Sequence, residues 1–137
     1  MNILVVGSGA REHAIVRAIE RSPKDKEIFC LGSNVNPGIA ELCADLTVAN
    51  INDIHTITNY AKKRAVDLAI IGPEKPLAIG AADALWDMDV RVVGPRKDLA
   101  QIETSKAFTR DLLTEYNISA CPKYKTFSSL GGVVEFL

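Results

Sequence analysis

The sequence has little that would staple a chain together or take it to a membrane. Its three cysteines, Cys30, Cys43 and Cys121, are odd in number, far apart and outside any C-x-x-C pair, which argues against a disulfide framework and a zinc site. Three small buried thiols in a reducing cytoplasm are expected instead. No apolar run approaches the roughly 20 residues of a membrane helix. Met1 leads directly into a strand, without the basic segment and apolar core of a secretory leader, so the expected location is cytoplasmic. Neither charge dominates: a formal net charge of -1 gives no field to gather nucleic acid or an anionic membrane surface. Any anion the protein binds must be held locally. The two histidines lack acidic companions at ligand spacing, so no metal site is expected. His13 reads as a packed, hydrogen-bonded ring and His55 as an exposed one. G-x-S-x-G and G-x-x-x-x-G-K-[ST] are both absent, which removes the hydrolase elbow and the P-loop.

What is present is an alternation of strands and helices. Asn2 to Val6 (NILVV) is an apolar run of the kind covered on both faces of a sheet. A helix is predicted from Arg11 to Arg21, with Ala14, Ile15, Ala18 and Ile19 on its buried face. Further strands are predicted at Glu27 to Gly32, Asp45 to Asn50, Asp67 to Gly72 and Val90 to Gly94. Asp53 is a candidate N-cap for a helix that buries Ile54, Ile57 and Ala61 and carries Lys62, Lys63 and Arg64 in its last turn. Another helix is expected from Pro76 to Asp89, with Ala78, Ala81, Ala82 and Leu85 inward. The pattern predicts an α/β fold, a doubly wound and mostly parallel sheet of Rossmann-like type. After Pro95 the rhythm changes to a helix from Thr104 to Tyr116, a polar extended piece (SACPKYKTF) and a newly begun apolar segment (SSLGGVVEFL). The 137 residues thus divide into a first domain, 1–102, and a linker with the start of a second, 103–137.

Three stretches carry candidate chemistry. The first, VVGSGAREHA, places Gly7 and Gly9 between a buried strand and a helix, where backbone N–H groups approach an anion. A dinucleotide site would have a third glycine where Glu12 stands, and an acid about 20 residues on. Strand two ends at Gly32-Ser33-Asn34 without one. Arg11 puts a cation at the unfavourable end of the helix dipole, which an anion or the Glu12 carboxylate would offset. The second stretch, IIGPEKPLAIG, follows strand four. If that strand lies beside strand one, both loops flank one crevice at the switch point. Glu74 is then the carboxylate for ribose hydroxyls, held by Pro73 and Pro76, and Lys75 reads as surface. In the third stretch, ETSKAFTRDLL, Ser105 either caps a helix or lies in its first turn, and Lys106 stands near that N-terminus, useful if it reaches a phosphate and otherwise paired with Glu103.

Taken in order and spacing, GSGAREH, GPEKPLAIG and VGPRKDLAQIETSKAFTRDLL resemble the N-terminal part of the glycinamide ribonucleotide synthetase (phosphoribosylamine-glycine ligase) family of ATP-grasp ligases. The resemblance covers essentially the whole chain. It implies a pre-ATP-grasp domain followed by the first elements of an ATP-grasp domain, and the reaction of ATP, glycine and 5-phosphoribosylamine to glycinamide ribonucleotide, ADP and phosphate. It assigns Gly7, Gly9, Ala10, Arg11, Glu12, Pro73 and Glu74 to phosphoribosylamine and Lys106 to ATP. No catalytic residue falls in this portion, and the groups that hold Mg²⁺ and most of ATP lie in the remainder of a much longer protein. Ala10 departs from the family's usual glycine and would be strained if that position needed φ > 0. The partners implied are small molecules, with no nucleic acid and no membrane, and a monomer at full length. Alternatives from the residues themselves are a noncatalytic sugar-phosphate module, an NAD(P)-dependent oxidoreductase fragment, and an ATP-grasp ligase for another acid.

Overall fold

The structure is a computed structural model that describes residues 1–119 and 121–137. Ala120, within the polar piece expected to be extended, lies outside the described residues. The chain divides into two compact units, Met1–Ala100 and Gln101–Leu137.

The first unit is built on five parallel strands, β1 (Asn2–Val6), β2 (Glu27–Gly32), β3 (Asp45–Val48), β4 (Leu68–Ile71) and β5 (Arg91–Val93), in the order β3-β2-β1-β4-β5. Helices cover both faces. On one, Val5, Ile28 and Cys30 meet Val16 of α1 (Ala10–Glu20) and Ile39 of α2 (Pro37–Ala40). On the other, Leu4, Val6, Phe29 and Leu31 meet Ile57, Tyr60 and Ala61 of α3 (Ile54–Lys63), Leu77 of α4 (Glu74–Ile79) and Ala81, Ala82 and Leu85 of α5 (Ala81–Trp86). The central strand is therefore apolar at every inward position, because period-two side chains meet an apolar layer on each side.

Several local expectations are corrected. The helix expected from 76 to 89 is two helices, broken at Gly80, which turns left-handed at φ +96° and caps the first. Helix α1 buries Glu12 and Val16, with Ile15 and Ile19 half-buried, while Ala14 and Ala18 face solvent. The tilt follows from Glu12, which holds a core-facing position that a binary pattern reserves for apolar residues. Helix α2 is an element no expectation covered; Asn36 accepts from the N–H groups of Gly38 and Ile39, and Pro37 begins the helix. After β5, α6 (Lys97–Thr104) precedes α7 (Lys106–Glu115), with the break at Ser105 where a single helix start was expected. Of the cysteines, all free, Cys30 is buried and the other two are half-buried. His13 is half-buried against Gly38, where a Cβ would lie 2.3 Å from its ring, and His55 is exposed.

In the second unit the Ser105 hydroxyl accepts from the Phe108 N–H at 3.3 Å and so caps α7. The Tyr124 hydroxyl donates to Asp111 at 2.6 Å. The last helix, α8 (Val133–Phe136), brings Phe136 edge-on to Phe127 with ring centroids 5.8 Å apart. No helix among the described residues is long and apolar enough to cross a membrane.

Two contacts in the first unit make testable contributions to its stability. Asp45, at the start of β3, accepts from the Tyr60 hydroxyl at 2.6 Å, Arg64 at 2.7 Å and Thr47 at 2.9 Å. The Tyr60 bond first, and the others with it, hold the Asp45 carboxyl below the usual carboxylate range, while burial pushes the Tyr60 phenol up to about 12. A carboxyl more acidic in the folded state stabilises the fold above its unfolded pKa of about 3.9 and loses that contribution as pH falls through its folded value. Denaturant unfolding at neutral pH should show Asp45→Asn less stable by about 1 to 3 kcal/mol, with the gap to wild type narrowing as the pH is taken below about 4. A gap independent of pH would contradict the assignment. The second contact is the Glu12 side chain against Gly72, where a Cβ would lie 2.0 Å from Glu12 Oε1. Gly72→Ala should lose about 1 to 3 kcal/mol through overpacking, and less of that in a Glu12→Ala background. A double-mutant cycle measures the coupling, and additive losses would refute it.

Candidate functional site

Strands β1 and β4 are neighbours, yet α1 covers one face of the sheet and α4 the other. Their loops diverge at the carboxyl end and leave the crevice that doubly wound sheets use for ligands. It has a volume of about 400 Å³. Gly7, Ser8, Gly9 and Glu12 line it from β1–α1, Pro73, Glu74 and Lys75 from β4–α4, and Ser33, Asn34, Ile51 and Asn52 from the loops after β2 and β3.

The glycine turn is fixed from β2. Gly7, at φ +110°, donates its N–H to the Leu31 carbonyl at 2.9 Å, and its own carbonyl accepts from the Cys30 thiol at 3.1 Å. Burial first, then the neighbouring Cys43 and Glu12, push the Cys30 thiol up to about 12, so it stays protonated and available as a donor. Ser8 is 5% exposed; its hydroxyl donates to Asn34 Oδ1 at 2.9 Å, and its carbonyl accepts from Asn36 Nδ2 at 3.1 Å. The loop after β2 therefore clamps the glycine turn through amides.

The residues singled out by sequence separate into two groups. Gly7, Gly9, Glu12, Pro73 and Glu74 meet around the crevice. Ala10 and Arg11 lie outside its lining. Ala10 is the first residue of α1 and is not among the residues with positive φ, so alanine there is unstrained. Arg11 Nη1 donates to the Gly72 carbonyl at 2.9 Å, and its Nε lies 3.9 Å from Glu12 Oε1. The Glu12 carboxylate answers the cation at this helix end as expected, and a backbone carbonyl from the facing loop does so as well. Glu12 is 5% exposed, and its Oε2 accepts from the Gly9 N–H at 2.7 Å. Glu74 opens α4 and is exposed, favourably placed for an acid at a helix N-terminus. Pro73 precedes the helix as its N-cap and Pro76 is buried within it.

Sequence reasoning missed Ser33, Asn34, Asn52 and Lys75. The signal for Asn34 is its place after strand two, where a dinucleotide site carries an acid and this chain an amide. Lys75 is exposed, as expected of a surface lysine, and also lines the crevice beside Glu74. The resulting lining offers carboxylates, amides and hydroxyls, a set suited to recognising a polyhydroxylated amine or sugar.

The second unit carries a hollow of about 330 Å³ lined by Lys106, Ala107, Arg110, Tyr124, Lys125 and Thr126. Lys106 opens α7 and is exposed, and no ion pair to Glu103 forms among the described residues. Three cations around one hollow favour an anion.

Comparison with known proteins bears on both units. The family model described as phosphoribosylglycinamide synthetase, N domain, matches residues 1–103. The phosphoribosylamine-glycine ligase of Methanococcoides burtonii is 42% identical over 137 residues, which is 100% of this chain and 32% of the relative. That of Methanococcus vannielii is 46% identical over 135 residues, 98% of this chain and 30% of the relative. The chain thus spans about a third of the length of the curated relatives it matches. Among solved structures, N5-carboxyaminoimidazole ribonucleotide synthetase from Thermotoga maritima superposes with a TM-score of 0.71 at 17% identity, over 98% of this chain and 36% of that one. The synthetase from Staphylococcus aureus complexed with ADP gives 0.64 at 11% identity, over 83% and 29%. These likenesses show the fold. With a family model covering three quarters of its residues, the chain belongs to the phosphoribosylglycinamide synthetase N-domain family.

Proposed function

We propose that this chain is the N-terminal part of an ATP-dependent ligase that joins glycine to 5-phosphoribosylamine through a glycyl phosphate, giving glycinamide ribonucleotide in purine biosynthesis. The observation that carries the reading is the match of the whole chain, at 42% identity, to the first third of a phosphoribosylamine-glycine ligase. The crevice supports it with a glycine turn facing Glu74, where vicinal hydroxyls can donate to the carboxylate. Gly7, Gly9, Glu12, Pro73 and Glu74 receive phosphoribosylamine in this reading, with Ala10 and Arg11 shaping the turn from outside.

ATP is the expected second substrate, and the cationic hollow of the second unit suits part of a polyphosphate. Lys106 leads, with Arg110 and Lys125 beside it. Magnesium would neutralise charge developing on the transferred phosphoryl group. Among the described residues no group of three or more His, Cys, Asp or Glu could hold a metal ion, so we assign the metal to the rest of the protein. This chain's own contribution is to bind and orient the amine substrate and to reach the nucleotide, and separated from the remainder it is not expected to turn over.

In the full-length protein, glycine-dependent ADP formation should fall by two orders of magnitude or more in Lys106→Ala, as removal of a charge-assisted phosphate contact implies. Glu74→Ala should raise the KM for phosphoribosylamine by roughly tenfold to a hundredfold and leave that for ATP within about twofold. Steady-state kinetics with each substrate varied in turn checks both, and unchanged constants in both variants would refute the site.

A further inference from the structure

A glycine turn ahead of a helix ordinarily takes a ligand phosphate on its free N–H groups, helped by the helix dipole. Here the protein has already filled that place with its own carboxylate. The Gly9 N–H donates to Glu12 Oε2 at 2.7 Å. The side chain lies so close against the turn that a Cβ at Gly9 would stand 2.9 Å from Oε2, and one at Gly72 2.0 Å from Oε1. An incoming phosphate would meet a fixed negative charge in a poorly solvated position, where like charges repel strongly.

The other oxygen has an ion-pair neighbour but accepts no hydrogen bond from the described residues. Arg11 Nε, the nearest cation, is 3.9 Å away, beyond hydrogen-bond distance, and Arg11 spends Nη1 on the Gly72 carbonyl. No described residue donates to Oε1. The Glu12 side chain is only 6% exposed, yet the one buried side-chain polar atom without a partner among the described residues is Arg64 Nε. Glu12 Oε1 is thus not sealed in, and Glu12 lines the crevice. A nearly buried carboxylate oxygen without a hydrogen-bond donor, on a residue that lines a ligand crevice, is completed by a donor from the ligand.

We propose that Glu12 Oε1 accepts a hydrogen bond from the amino group of the bound sugar phosphate, which makes Glu12 the residue that selects the amine end and keeps phosphate out of the glycine turn. The proposal deepens the ligase reading and rests on it. Glu74, exposed on the facing loop, then takes the hydroxyls, so the two carboxylates divide the donors of one substrate.

The test uses the full-length protein and two stable carbocyclic analogues of phosphoribosylamine, one bearing the amine and one with hydrogen in its place. Wild type should bind the amine analogue at least about tenfold tighter, as expected of a charge-assisted hydrogen bond. Glu12→Gln keeps an acceptor for the Gly9 N–H and should abolish that discrimination. It should also raise the KM for phosphoribosylamine about tenfold or more, with the KM values for glycine and ATP unchanged. Equal binding of the two analogues by wild type overturns the proposal, and so does a Glu12→Gln protein that still discriminates or whose three KM values rise together. If Glu12→Gln does not fold, the wild-type comparison decides alone. A wild-type protein that forms no ADP from phosphoribosylamine and glycine fails the ligase reading itself, a result separate from either analogue outcome.

Discussion

A carboxylate taken to 5% exposure is tolerated only where the protein answers its charge, and the answer given to Glu12 organises the carboxyl end of the sheet. One oxygen takes the Gly9 N–H at the positive end of α1. The stem needs room that Gly7, Gly9 and Gly72 leave by having no side chain. Arg11, its neighbour, crosses to the Gly72 carbonyl and so ties the β1 loop to the β4 loop, 61 residues away in sequence. One acid, one arginine and three glycines thereby set the width of the crevice. The apolar layers that cover β1 on both faces hold the strand from which this arrangement starts.

The framework is that of a doubly wound nucleotide-binding sheet, and its chemistry at the switch point differs. In a dinucleotide site the turn is left open for pyrophosphate and an acid after the second strand takes ribose hydroxyls. Here the acid has moved into the turn, and the position after β2 carries Asn34, whose Oδ1 is engaged by the Ser8 hydroxyl. The same backbone has been converted from an anion receptor to an acceptor-rich pocket by exchanging where the carboxylate sits. Fold alone would not distinguish these cases, since function resides in the side chains placed on it.

The parts of this fold that were legible in the sequence are those governed by short-range patterning. Strands β1 and β2 have the limits read from their apolar runs, because a strand buried on both faces leaves no ambiguity of register. Asp53 and Ser105 cap their helices by the local chemistry that marks them. The misreadings arise where a residue acts against its type. A charged Glu12 on the core line rotated the face of α1, and a left-handed Gly80 split one small-residue run into two helices. In the site, the glycines and Glu74 follow from spacing at the ends of strands one and four. The inward direction of Glu12, the Gly72 carbonyl under Arg11 and the clamp from Asn34 and Asn36 are long-range contacts, which no local pattern encodes.

A net charge of -1 leaves no protein-wide field to sort substrates, so selection must come from each lining. The crevice of the first unit is lined by two carboxylates and one lysine, and the hollow of the second by three cations and no acid. Each lining is complementary to a different end of the proposed chemistry, hydrogen-bond donors on a sugar amine in one and polyphosphate oxygens in the other. The buried amide and thiol contacts behind the glycine turn serve the first of these. They hold Gly7 and Ser8 without adding charge, so the sign of the crevice is left to Glu12 and Glu74. The protonated Cys30 thiol holds the Gly7 carbonyl where a lysine or arginine would have changed what the pocket accepts.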